Sequence, residues 1–241
     1  HLSTALAPIH RKATIDRVKR RLKEKNDKDW TLVGTSCVEA GLDFSFRTAA
    51  RELCSLISAI QTAGRANRSG EFGASELWGF KIRAGELLRE HPAFKTSAQV
   101  LADIYREQKV SPEFCMEAMR REIRSRNHGR CEDDSIIKAE FKKDFPEVER
   151  QFKVISSNTI TVIVDVDLLN RLSDREKRKE VKFQEIQQKA VNIYTTKKEL
   201  YGIAPLDGFN ELFRWDLAYN HFLGYMAGVL EMENFSDNCC I

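Results

Sequence analysis

The sequence predicts an α/β domain on a parallel sheet, followed by a helical linker and a small α+β C-terminal domain. Three observations carry this. Short apolar strand-like runs alternate with helix-period segments through about the first eighty residues, the order that gives parallel strands with right-handed crossovers. From residue 83 to about 140 only the helical period persists. Beyond residue 142 alternating β-branched runs return beside charged helical stretches. The expected boundaries are 1–82, 83–141 and 142–241, and the first sheet is incomplete, short of another strand and helix before His1.

Composition bounds the reading. A chain of 241 residues can bury a full core, and 42% hydrophobic with 31% charged residues describes an ordinary soluble globular protein. No apolar run approaches the roughly 20 residues that span a bilayer. No secretory signal is legible, and the chain begins at His1 rather than Met, so a fragment or processed product is expected. Cys37, Cys54, Cys115, Cys131, Cys239 and Cys240 form no CxxC pair, which fits a reducing cytoplasm. His128 and Cys131 have ligand-like spacing, but nothing nearby completes a zinc site and no metal is expected. Net charge is +3, yet residues 1–72 hold thirteen Lys and Arg against eight Asp and Glu, net +5, leaving −2 for the remainder. A modest basic field of this kind suits a surface that tracks phosphates.

The elements follow in order. Residues 1–4 read as a strand end and 8–25 as a helix, with Pro8 in the first turn where a missing N–H costs nothing. Ile15, Val18 and Leu22 form its apolar stripe amid seven Lys and Arg. Most of those charges are a solvated face. Ser3 and Thr4 at the strand end, with His10 and Arg11 in the helix's first turns, read either as part of that face or as a site for a nucleic-acid phosphate. A buried parallel strand is expected at 30–33, ended by Gly34-Thr35-Ser36. Gly41 allows close approach of backbone to a ligand, and the Asp43 carboxylate accepts from a ribose hydroxyl or pairs with an arginine.

A helix over 55–66 then delivers Gln61, Gly64, Arg65 and, just beyond, Arg68. The spacing Arg65-x-x-Arg68 places both guanidinium heads on one helical face or on the turn that ends it. Residues 77–80 read as the last strand of the sheet. Helices are expected near 83–91, 95–109 and 111–125, the last started by Pro112 with Ser111 as cap, and 127–129 as a turn. A hairpin over 152–155 and 159–164, a charged helix near 168–189, a strand at 191–194 and an aromatic hairpin or helix at 209–225 complete the chain. Asp165, Asp167 and Asp174 read as strand-end and helix-cap carboxylates, and this last module holds no catalytic constellation.

Val38-Glu39-Ala40-Gly41-Leu42-Asp43-Phe44, then Gln61-Thr62-Ala63-Gly64-Arg65-Ala66-Asn67-Arg68-Ser69-Gly70, resemble motifs V and VI of superfamily 2 nucleic-acid helicases. With His1-Leu2-Ser3-Thr4, His10-Arg11, Thr35 and the Asn of Gly-Arg-x-Asn-Arg, the set is similar to the CRISPR-associated helicase–nuclease of type I systems. That resemblance implies a second RecA-like helicase domain, N-terminally incomplete, in a protein that reels single-stranded DNA using ATP and cuts it with a separate HD nuclease domain. It implies that Arg68 is an arginine finger and Arg65 a second γ-phosphate contact. Gly41, Asp43, Gln61 and Gly64 then belong to the nucleotide cleft. Ser3, Thr4, His10, Arg11 and Thr35 face the DNA backbone, and the C-terminal domain lies as a lid over the DNA channel. Ser36 stands where Gln is frequent and Ile57 where Asp is frequent, departures expected to weaken coupling between DNA and ATP.

The sequence holds no Gly-x-x-x-x-Gly-Lys-Ser/Thr phosphate loop, no Asp-Glu-x-His-like motif and no His-Asp pair. ATP and Mg²⁺ are therefore expected only together with an N-terminal RecA-like half of the same protein. Two classes stay open: half of an ATP-dependent DNA translocase, inactive alone, or a standalone module that binds single-stranded nucleic acid or protein without chemistry. Expected partners of the first are single-stranded DNA, the N-terminal half and a crRNA-guided surveillance complex, in the cytoplasm and without a membrane.

Overall fold

The computed structural model describes residues 1–24, 26–39, 41–83, 94–126, 135–151 and 158–238. In chain order it contains α1 (Pro8–Lys23), β1 (Thr48–Glu52), α2 (Leu56–Ala63), β2 (Glu76–Phe80), α3 (Lys95–Arg106) and α4 (Cys115–Arg126). Then follow α5 (Ser135–Phe141), α6 (Phe145–Gln151), β3 (Thr159–Ile163), α7 (Val166–Ser173) and α8 (Phe183–Gln188). Strands β4 (Ala190–Tyr194), β5 (Ala204–Pro205) and β6 (Leu212–Arg214) precede the last helix, α9 (Met226–Asn238). The class is mixed α/β with parallel strand pairs, as the sequence predicts. Packing groups the chain into two units, residues 39–155 and residues 1–38 with 156–241.

In the unit of residues 39–155, β1 and β2 pair in parallel with α2 as their crossover. The start of α2 is set by Ser55, whose Oγ accepts the Ser58 N–H at 3.2 Å and so satisfies one orphan donor of the first turn. Leu56 and Ala59 on one face of α2 pack with Val100, Leu101 and Ile104 of α3 and Ala118 of α4. Leu77 of β2 joins that core, while Trp78 and Phe80 at alternating positions lie exposed. Gly79 is the close-packing point: a Cβ there would meet Leu53 Cδ2 at 2.7 Å.

Strand β2 stands where 77–80 was expected; β1, Thr-Ala-Ala-Arg-Glu, has no β-branched alternation to announce it. The helix at 95–109 ends at Arg106, where Gln108 turns left-handed at φ 59°. The expected Ser111 cap is corrected. Its side chain makes no cap bond, and Pro112–Phe114 is a 3-10 turn that precedes α4. The helix expected near 83–91, the turn at 127–129, His128 with Cys131 and the hairpin strand at 152–155 fall on residues outside the described set, as do Cys239 and Cys240.

The second unit is organised on a sheet of order β4-β3-β6-β5, with β3 antiparallel to β4 and parallel to β6. Val162 and Ile163 are both fully buried, so β3 is covered on both faces, which explains its unbroken β-branched run. On one face Val162, Val191, Ile193 and Phe213 pack with Ala7, Trp215 and Val229 of α9. On the other, Ile163, Ala190 and Leu212 pack with Leu168 and Leu172 of α7 and Ile186 of α8. Each such buried aliphatic side chain contributes about 1.5–3 kcal/mol of transfer free energy.

Three expectations are corrected here. Residues 30–33 form no strand ladder; a single parallel bridge joins Leu2 to Gly34, and Val33 is 63% exposed. Trp30 belongs to the end of α1 instead, its Nε1 donating to Asp27 O at 3.0 Å under the Arg21 guanidinium. The charged helix near 168–189 is two helices, because Asp174 accepts the Glu176 and Lys177 N–H groups at 2.9 and 3.3 Å and restarts the chain in a 3-10 turn. Residues 209–225 hold only the three-residue β6 and turns. Asp165 caps α7, accepting the Leu168 N–H at 2.8 Å, as expected of it.

The N-terminal segment is threaded into this unit. Ala5, Leu6 and Ala7 are buried, Ala5 O accepts the Tyr225 N–H at 3.2 Å, and a Cβ on Gly224 would lie 2.1 Å from Ala5 O. Gly224 also has φ +67°, a conformation that costs other residues strain. Gly224→Ala is expected to destabilise the folded chain by at least about 2 kcal/mol, read as a lowered midpoint in denaturant unfolding; an unchanged midpoint would disprove the close approach.

Candidate functional site

Within the unit of residues 39–155 two loops converge. One runs from Glu39 to Phe46, the other from Gly64 to Gly70, directly after α2. The helix ends at Ala63 with Gly64 as its C-cap, so Arg65 and Arg68 sit on the turn beyond it, not on its face. Phe46 and Ala66 form a parallel bridge, with Phe46 N donating to Arg65 O at 2.8 Å and Asn67 N to Phe46 O at 2.7 Å. Arg65 closes the join. Its Nη1 donates to Leu42 O and its Nη2 to Glu39 O at 2.5 Å. A planar fork serves two carbonyls at once, which a lysine ammonium cannot do with the same geometry.

Arg68 plays a different part. Its Nε lies 2.8 Å from Asp43 Oδ1, and both side chains are open, 46% and 85% exposed. Asn67 between the two arginines has φ 51°, a conformation that Asn tolerates better than most residues. Its side chain donates to Phe72 O and accepts the Phe72 N–H at 2.9 Å, fixing the turn. Gly41 and Gly70 also have positive φ, 76° and 68°, and no atom lies within 4 Å of a Cβ built on either. Gln61 is exposed on α2, one turn before Arg65. The expected nucleotide set, Gly41, Asp43, Gln61, Gly64, Arg65 and Arg68, thus lies on these two loops and the helix between them.

Sequence reasoning missed two members of this neighbourhood. Arg51 of β1 places Nη1 2.6 Å from Glu39 Oε1, with the two side chains only 18% and 9% exposed. Its Nε donates to the buried Cys54 Sγ at 3.3 Å. Breaking a largely buried pair by deleting one partner costs about 3–5 kcal/mol, because the other charge is stranded.

In the other unit, the expected DNA-facing residues divide. Leu2 N donates to Val33 O at 2.8 Å and Thr35 N to Leu2 O at 3.1 Å, which brings Ser3 and Thr35 to the same end of one bridge. Thr4 and Thr35 are exposed; Ser3 is buried, its Oγ accepting the Ala5 N–H at 3.2 Å. Arg11 is half-buried in the first turns of α1. His10 is engaged within the fold: its Nδ1 lies 2.7 Å from the Tyr219 hydroxyl and its ring stacks on His221 at 4.0 Å. Tyr219 and His221 carried no sequence signal, since 209 residues separate Tyr219 from His10.

The Tyr219 oxygen accepts the Ala7 N–H at 3.0 Å, so its single proton is free to point at His10 Nδ1. Burial raises the Tyr219 pKa and keeps that proton in place. Burial, then the charge of His221, lowers the His10 pKa below its ordinary 6.5, with Lys189 in the same sense and Asp165 opposing. Below pH 6.5 the unfolded chain therefore takes up the proton that folded His10 refuses, so stability falls with acid and is flat above. Wild-type protein is expected to lose thermal stability as the pH falls below 6.5, and His10→Asn to lose less. Equal slopes would refute the assignment.

Residues 2–71 match the family described as CRISPR-associated nuclease/helicase Cas3, C-terminal. No curated protein matches the chain. Among solved structures, T. fusca Cas3-AMPPNP aligns with TM-score 0.55 at 12% identity, over 88% of this chain and 32% of that one. T. fusca Cas3-ATP gives 0.55 at 13% over the same shares, and T. fusca Cas3-ADP 0.53 at 12% over 87% and 31%. The chain spans about a third of the length of the structures it matches. Both motif loops and the Leu2–Gly34 bridge lie inside the matched residues, so the likeness to the Cas3 C-terminal family covers residues 2–71 and the fold as a whole resembles part of those structures.

Proposed function

We propose that the chain is the C-terminal half of an ATP-dependent single-stranded DNA translocase of CRISPR type I interference, supplying the arginine finger and part of the DNA path. The observation that supports this best is the convergence of the two motif loops, with an exposed guanidinium at its edge. Arg68 is the finger. Its one carboxylate partner, Asp43, is itself open to solvent, and an exposed pair of this kind holds by about 0–1 kcal/mol, so a γ-phosphate displaces it readily. Arg65 is the second phosphate contact and reaches it only by giving up the Leu42 and Glu39 carbonyls. Gly41, Asp43, Gln61 and Gly64 line the cleft beside them, and Ser3, Thr4, His10, Arg11 and Thr35 belong to the DNA-facing side.

The donor set fits a nucleotide phosphate but not a metal. Guanidinium groups supply the charge that phosphoryl transfer needs stabilised, whereas no group of three or more His, Cys, Asp or Glu among the described residues could hold a cation. Mg²⁺ therefore belongs to the N-terminal RecA-like half in this reading, and no step here runs through it. Nor is any helix among the described residues long and apolar enough to cross a membrane. The remaining partners in this reading are that N-terminal half, single-stranded DNA and a crRNA-guided surveillance complex, met in the cytoplasm.

Two outcomes test the reading. The purified 241-residue chain should hydrolyse ATP no faster than background; robust turnover would end the proposal. In the full-length protein Arg68→Ala should lower kcat for ATP by about 10³-fold or more while single-stranded DNA affinity stays nearly intact. Parallel loss of both would favour instead a non-catalytic module that binds nucleic acid.

A further inference from the structure

The buried arginine beside the motif loops has no part in the reading above. We propose that Arg51 is a positioning residue for the phosphate-facing loop. It clamps the Glu39 side chain from strand β1 while Arg65 holds the backbone of the same loop from the opposite side. The inference rests on Arg68 being the γ-phosphate contact.

The geometry is a chain of held points. Arg51 Nη1 lies 2.6 Å from Glu39 Oε1, an ion pair outside hydrogen-bond geometry, and its Nε is fixed by donating to Cys54 Sγ at 3.3 Å, at the end of β1. β1 is in turn held in register on β2, with Arg51 opposite Gly79. Glu39 is thereby tied to the sheet through its side chain, and its own carbonyl accepts Arg65 Nη2. Three residues on, Leu42 O takes the other Nη of Arg65. The next residue is Asp43, the partner of Arg68. Glu39 is therefore held by a charge pair at its side chain, and Glu39 and Leu42 are held at their carbonyls by Arg65. The Phe46–Ala66 bridge and Arg65 tie the loop to the one after α2, whereas the Glu39–Arg51 pair refers its start to the sheet.

Loss of a residue that sets where a transition-state contact sits, without touching substrate, lowers kcat and leaves ground-state binding in place. An effective test compares Arg51→Met, Arg51→Lys, Glu39→Gln and Arg51→Met/Glu39→Gln with Arg68→Ala in the full-length protein, measuring kcat and KM for ATP together with thermal midpoint. Arg51→Met is expected to lower kcat at least tenfold with KM for ATP within twofold. Arg51→Lys, which keeps a charge on Glu39, recovers part of the rate. The double variant strands no charge, so it regains the thermal midpoint but not kcat, and it keeps the test valid if Arg51→Met folds poorly. A double variant with wild-type kcat would overturn the positioning role, leaving Arg51 purely structural. Loss of rate only in proportion to unfolded protein would overturn it equally. If Arg68→Ala turns over ATP normally, the finger reading itself fails and takes this inference with it. If Arg68→Ala is dead while both Arg51 variants are unimpaired, the positioning role alone is refuted.

Discussion

Two loops separated by a helix have no reason to meet unless something joins their backbones, and in this chain the join is the Phe46–Ala66 bridge with the guanidinium of Arg65 beside it. The first loop meets its neighbour through the Phe46–Ala66 bridge, and its Glu39 and Leu42 carbonyls accept from Arg65. Carbonyls left buried and unpaired would each cost about 1–3 kcal/mol, so the fork stabilises a conformation that is otherwise unfavourable. Everything at the candidate site inherits its placement from that junction: the left-handed Asn67, the turn closed on Phe72 and the Asp43–Arg68 pair at the rim.

The N-terminal segment shows a second use of the same economy. Ala5, Leu6 and Ala7 have small or compact side chains that let the chain pass against Gly224 and under Tyr219. Residues placed by the motifs on a nucleic-acid face accordingly carry internal duties as well. Ser3 turns its hydroxyl to its own backbone and His10 accepts from Tyr219, while Thr4 and Thr35 stay open. Residue type at such positions does not separate a ligand contact from a packing contact; geometry does.

What was legible in the sequence was local. Pro8 and the Ile15–Val18–Leu22 stripe announced α1, Ser55 announced the start of α2, and the β-branched runs gave β3 and β4. Arg65, Arg68 and Asp43 were singled out because motif spacing is a local property too, and the structure brings them onto adjoining loops. The failures are places where a distant group decides. β1 is a strand because β2 pairs with it, against the propensity of Thr-Ala-Ala-Arg-Glu. Residues 30–33 look like a strand yet find only one partner residue, and Trp30 is taken by Arg21 and Asp27. The Glu39–Arg51 pair and the His10–Tyr219–His221 cluster join segments 12 to more than 200 residues apart, and no period or spacing encodes such meetings.

The two arginines of the second loop differ in what it takes to free them, and that difference ranks their roles. Arg68 is bound to one carboxylate in open solvent, where water and salt already compete with the pair. Exchanging Asp43 for a phosphate replaces one exposed ionic contact with another of higher charge, and no backbone group is orphaned. Arg65 donates to two carbonyls in a largely covered position, and withdrawing it strands both. A phosphate that draws in Arg68 therefore acts on a loop still held by Arg65, whereas one that draws in Arg65 must first loosen the loop that carries Asp43. In the proposed reading this ordering has the exposed arginine answer the nucleotide first, while the half-buried one keeps the frame against which that answer is made.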